Sequence, residues 1–194
     1  GFHIASQDLE LRGGGELLGS RQSGAIASVG FDTYVHMLEE AVAELKGEPI
    51  HNPIDPELNV DVPGYIPDQY VPDPGQRLDL YKRLASAQSE DEVAQLLEEI
   101  ADRWGPGPTE VAHLGDLMVV KALARRVGAT SVEVTRTKLA LALPAGAAAA
   151  AAARAGWRHS PDGRIVLAFT GAHPVRAAQE ALLQLATRAN AAKP

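Results

Sequence analysis

The 194-residue chain is 45% hydrophobic, carries a formal net charge of -7 and has no cysteine. Residues 1–47 hold three basic and seven acidic side chains and the remainder fifteen and eighteen, so neither stretch has the basic excess of an autonomous DNA grip. Disulfide and thiol chemistry are excluded, and no apolar run approaches the roughly 20 residues of a membrane-spanning helix, which together predict a soluble, cytoplasmic protein with a proper core.

The opening segment, Gly1 to Gly24, gathers two arginines and six glycines around a short amphipathic turn and shows no fold of its own. It begins without Met or a targeting signal. The expectation is therefore a piece of a longer protein, with this segment as a coupling element. Tyr34, Leu38, Ala41, Val42 and Leu45 then fall at helical spacing, with Gly47 as a stop. A stretch rich in Pro, Asp and Gly runs from Glu48 to Gly75. Leu58, Val60 and Val62 alternate in it, predicting one strand. Pro63, Pro67, Pro72 and Pro74 predict extended backbone for the rest.

Leu78, Tyr81, Leu84 and Ala85 predict a further helix. Ser89 and Glu92 form a capping-box pattern ahead of Val93, Leu96, Leu97, Ile100 and Trp104, the apolar inner face of the next. Gly105-Pro106-Gly107-Pro108 breaks it, and another helix is expected from Thr109 to Val127, ending at Gly128. Alternation at Val132 and Val134 and at Leu139, Leu141 and Leu143 predicts a hairpin. The alanine run from Ala145 to Ala155 has high helix propensity and stops at Gly156. Ser160-Pro161-Asp162-Gly163 is a turn between two short strands, and Pro174 opens a last amphipathic helix.

The expected organisation is a motif and adjoining helix over 1–47, a Pro-rich linker with one strand over 48–75, and a C-terminal regulatory domain over 76–194. The fold class is α+β: a helical hairpin or motif segment, then several helices packed on a small mixed or antiparallel sheet.

No independent catalysis is legible. Gly13-Gly14-Gly15 lacks the Lys and Ser/Thr that a phosphate loop places after its glycines. The six histidines are scattered without metal-ligand spacing. Ser23 does not stand in a nucleophile elbow. The expectation is no catalytic residue, no metal and no cofactor in this chain.

The opening segment resembles the translocation motif shared by transcription-repair coupling factors and RecG-type branch-migration helicases. That pattern runs Gly-Phe-x-Ile-Ala-x-x-Asp-Leu-Glu-x-Arg-Gly-x-Gly-x-Leu-Leu-Gly-x-x-Gln-Ser-Gly, and every fixed position is present from Gly1 to Gly24. The chain beyond the motif is similar to the coupling factors at Val29 to Tyr34, Leu38 to Val42, Ile66 to Asp73, Arg77 to Ala85 and Glu99 to Gly105. Branch-migration helicases end soon after the motif, which leaves them as the alternative.

The resemblance implies a bacterial DNA-repair protein, an ATP-dependent translocase on double-stranded DNA. It would displace RNA polymerase stalled at damage and recruit the excision-repair protein UvrA. ATP and Mg would be bound by domains upstream of this chain. Arg12 and Gln22 would be the coupling pair. A guanidinium offers five donors in a rigid fork and an amide offers both donor and acceptor. Asp8 or Glu10 would partner Arg12, and Gly13, Gly15, Gly19 and Gly24 would belong to the same motor-coupling element. The C-terminal domain would mask UvrA binding by docking on the protein's own N-terminal UvrB-like module. Glu99 and Asp102, at i and i+3 on the outward side of their helix, are the expected autoinhibitory interface. Without the resemblance the two acids read as a solvated flank.

Overall fold

The computed structural model describes residues 55–60, 62–170 and 173–191. Their element order is β1 (Glu57–Val60), α1 (Pro74–Ser86), α2 (Glu90–Trp104), α3 (Thr109–Val127), β2 (Ser131–Val134), β3 (Lys138–Ala142), α4 (Ala147–Arg154), β4 (Arg158–His159), β5 (Ile165–Ala168) and α5 (Pro174–Ala191). The motif from Gly1 to Gly24 and the helix expected over Tyr34 to Leu45 lie outside the described residues. Of those described, 62–87 and 91–115 form one compact unit, and 55–60, 88–90, 116–170 and 173–191 a second.

In the first unit, helix α1 starts at Pro74, earlier than its apolar repeat implied. Pro74 takes the first helical position, where a missing N–H costs nothing. Asp73 caps it, its carboxylate accepting the Gln76 N–H at 2.7 Å. The extended backbone expected through the proline stretch also fails at Pro67, whose carbonyl accepts the N–H groups of Tyr70 and Val71. Proline's fixed φ suits turns and helix starts as well as extended chain, so proline content alone does not separate them. Leu78, Leu80, Tyr81, Leu84 and Ala85 give α1 its buried face. Arg77 is buried with them, and its Nη1 donates to the carbonyls of Val71 (2.6 Å) and Pro72 (3.0 Å).

Helix α2 buries Val93 and Ile100, while Leu96, Leu97 and Trp104 are half-buried. Its end is tied down by the Tyr70 hydroxyl, which donates to the Gly105 carbonyl at 2.6 Å. Burial raises the pKa of that phenol, keeping it a donor. Gly115 lets α3 approach α2 closely: a Cβ there would stand 2.4 Å from Leu97 Cδ1.

The second unit is built on a five-stranded sheet ordered β1-β2-β3-β5-β4. It is mixed: β1 runs parallel to β2, and the other neighbours are antiparallel. Strand β1 ends at Val60, short of the Val62 expected in it. The register places Leu58, Val132, Leu141 and Ile165 in one row across four strands, and all four are buried. Each buried side chain of this kind contributes about 1.5–3 kcal/mol.

Helix α5 turns Val175, Ala178, Leu182, Leu185 and Ala186 inward at three- and four-residue spacing. It packs on α4 and contacts β2, and Gln179 donates to the Asp116 carbonyl of α3 at 2.9 Å. From Leu117 to Val127 helix α3 is buried on most sides, with Lys121 among the buried residues. Gly128, at φ +72°, stops it: the Gly128 and Ala129 N–H groups reach back to the carbonyls of Arg125 and Ala124.

Candidate functional site

Of the residues expected to carry function, only Glu99 and Asp102 fall among those described. Arg12, Gln22, Asp8, Glu10, Gly13, Gly15, Gly19 and Gly24 lie outside them. Helix α2 holds six acidic residues and one arginine. Val93 and Ile100 turn inward, which sends Glu98, Glu99 and Asp102 to the exposed side. Glu99 and Asp102 stand one turn apart there on a rigid element.

The two acids differ in their surroundings. Arg83, in the last turn of α1, faces Glu99 with its planar fork. Nη1 donates to Oε1 at 2.8 Å and Nη2 to Oε2 at 2.5 Å. These hydrogen bonds hold the Glu99 carboxyl below the usual carboxylate range and raise Arg83 in turn. No sequence signal marked Arg83. It lies 16 residues from Glu99 on a different helix, and only the packing of α1 on α2 joins them.

The pair separates two shallow grooves, both within the first unit. One, of about 280 Å³, includes Asp73, Asp79, Arg103 and Trp104 in its lining. The other, of about 390 Å³, includes Glu92, Gln95 and Leu96. The Arg103 guanidinium lies 4.6 Å from the centre of the Trp104 ring, a cation–π distance. The groove linings combine carboxylates, guanidinium groups and one aromatic ring.

A second charged cluster lies on the sheet of the second unit. Glu133 of β2 takes Lys138 Nζ at 2.9 Å and also pairs with Arg164, whose Nε contacts Asp162 at 2.6 Å. Hydrogen bonds from Lys138 and Arg164 lower the Glu133 pKa. Asp55 accepts Lys121 at 2.9 Å and Arg125 at 2.5 Å, joining the approach to β1 to successive turns of α3. Both clusters tie together elements of their own unit. Among the described residues no group of His, Cys, Asp and Glu could hold a metal ion, and no helix is long and apolar enough to cross a membrane.

Residues 60–153 match the model of the TRCF domain family. The transcription-repair-coupling factor of Myxococcus xanthus is 49% identical over 138 residues, covering 71% of this chain and 12% of that relative. That of Bacillus subtilis (strain 168) is 42% identical over 127 residues, 65% of this chain and 11% of the relative. That of Staphylococcus aureus (strain USA300) is 38% identical over 135 residues, 69% and 12%. The chain thus spans roughly a tenth of the length of these relatives. A crystal structure of the C-terminal domain of a transcription-repair coupling factor superposes with a TM-score of 0.58 at 20% identity, over 72% of this chain and 97% of that one. The α+β fold is therefore shared.

Proposed function

The chain belongs to the transcription-repair-coupling factor family, and on that footing we propose that it is the motor-coupling and regulatory end of an ATP-dependent translocase on double-stranded DNA. The whole protein clears stalled RNA polymerase from lesions and recruits excision repair through UvrA. ATP and Mg belong to its upstream domains. Arg12 and Gln22 couple nucleotide-driven closure of the motor to movement on DNA.

The C-terminal domain acts by contact. The observation carrying this reading is the exposed acidic side of α2, where Glu99 and Asp102 stand a turn apart beside Trp104 and Arg103. Arginines on the N-terminal UvrB-like module would dock there and cover the UvrA-binding surface until polymerase is engaged. Charge-assisted hydrogen bonds of that kind contribute about 1.5–3 kcal/mol each once shielded from water.

Reversing both acids, Glu99→Lys with Asp102→Lys, in a full-length coupling factor carrying this chain tests the reading. Affinity for UvrA and basal motor activity should rise while the circular dichroism spectrum stays that of the folded protein. An unchanged UvrA affinity would place the latch elsewhere and leave the two acids as a solvated flank.

A further inference from the structure

The oxygens of Glu99 that a docking arginine would need are already taken by a guanidinium of the same unit. Arg83 reaches across from α1 and meets both carboxylate oxygens at once, with a separate nitrogen on each. A carboxylate has about four lone-pair sites, and the Arg83 fork fills the two that face it, so a second fork cannot dock in that same bidentate geometry while Arg83 stays. An incoming arginine would also meet the like charge of Arg83 beside its target. The contact is nonetheless replaceable. The two side chains are 39% and 52% exposed, and ion pairs that open to water are worth little.

Arg83 has somewhere to go. Asp79 lies four residues earlier on α1 and already acts on Arg83 electrostatically. An acid four residues before a base is the favourable order on a helix. Both acids line the same groove with Arg83, and Trp104 is part of its wall.

Resting on the reading that Glu99 belongs to the closed interface, we propose that the α1–α2 groove accepts an arginine side chain of the docking partner and that Arg83 is its built-in competitor. In the open state Arg83 holds Glu99. In the closed state the partner's guanidinium takes Glu99, and Arg83 turns to Asp79. Arg83 then keeps the latch weak enough to release.

The test uses a full-length coupling factor carrying this chain, with affinity for purified UvrA as the readout. Arg83→Gln removes the competing charge without touching the buried face of α1. It should tighten closure and lower UvrA affinity by roughly two- to fivefold, the range set by an exposed ion pair. The effect must run through Glu99, so adding Glu99→Gln to Arg83→Gln should abolish the loss. Arg83→Lys, which keeps a charge but not the fork, should fall between. If Asp102→Lys raises UvrA affinity but Arg83→Gln leaves it unchanged, the latch stands and the competitor role of Arg83 is overturned. A rise in UvrA affinity with Arg83→Gln overturns it too, because the fork would then be part of the closed surface. If neither Asp102→Lys nor Arg83→Gln moves UvrA affinity, the underlying reading falls with it.

Discussion

The phenolic oxygen of Tyr81 accepts the backbone N–H of Ile66 at 2.8 Å, and neither residue has any exposed surface. The bond pins the proline-rich segment to α1 in a place water does not reach. Tyr81→Phe keeps the ring and its packing but deprives a buried donor of its acceptor. The expected cost is about 1–3 kcal/mol, the penalty of an orphaned buried N–H. A urea midpoint indistinguishable from wild type would mean that Ile66 finds another acceptor.

Lys121 and Asp55 give an asymmetric pair of substitutions. The lysine is 2% exposed and the aspartate 35%. Asp55→Asn removes the negative charge facing a buried ammonium and should destabilise by about 1–3 kcal/mol, less than a fully buried pair because Asp55 sees water. Lys121→Met removes the buried charge itself and fills similar volume, so it should be close to neutral. Equal losses for the two variants in urea unfolding would contradict this asymmetry.

Glu133 provides a pH dependence with a defined sign. Its folded pKa is lowered by the hydrogen bonds from Lys138 and Arg164. The stability it contributes is therefore fully present above the unfolded carboxylate pKa of about 4.3 and is lost as pH falls through the lower folded value. Wild type should be more stable than Glu133→Gln at pH 7, and the gap should close in the acid range. Other carboxylates titrate in both proteins and cancel in the difference. A gap that stays constant down to pH 3 would show that the two cations do not favour the ionised form.

For the translocation motif, the expected phenotype is uncoupling. In a full-length coupling factor carrying this chain, Arg12→Ala or Gln22→Ala should leave ATP hydrolysis in place and abolish displacement of a DNA-bound roadblock. Hydrolysis and displacement lost in parallel would point instead to a damaged nucleotide site or a folding defect. Paired ATPase and roadblock-displacement assays on one preparation separate the two.

By itself the sequence determined where local structure starts and stops. The apolar repeat from Val111 to Val127 and the glycine after it mark α3 to its last residue. The alternation at Val132 and Val134 and at Leu139 and Leu141 marks a hairpin whose register pairs those residues directly. These signals are legible because periodicity and capping act within a few residues of one another. The proline-rich stretch was harder to read: β1 stops at Val60, and α1 begins early and a turn forms at Pro67 because proline and Asp73 serve turns and helix starts equally well.

Only the tertiary structure decided which distant groups meet. Strand β1 pairs in parallel with β2 although more than seventy positions separate Leu58 from Val132, and three helices intervene. Lys121 reads in the sequence as a break in the apolar run of α3. It is buried because Asp55 receives it. Glu99 and Asp102 read as equivalent acids one turn apart, yet Arg83 holds Glu99 while Asp102 is exposed. The physical reason is that a helix repeat specifies which side faces inward but not which side chain of another helix stands opposite. Charge pairs across elements depend on packing angle and register, which only the assembled core sets.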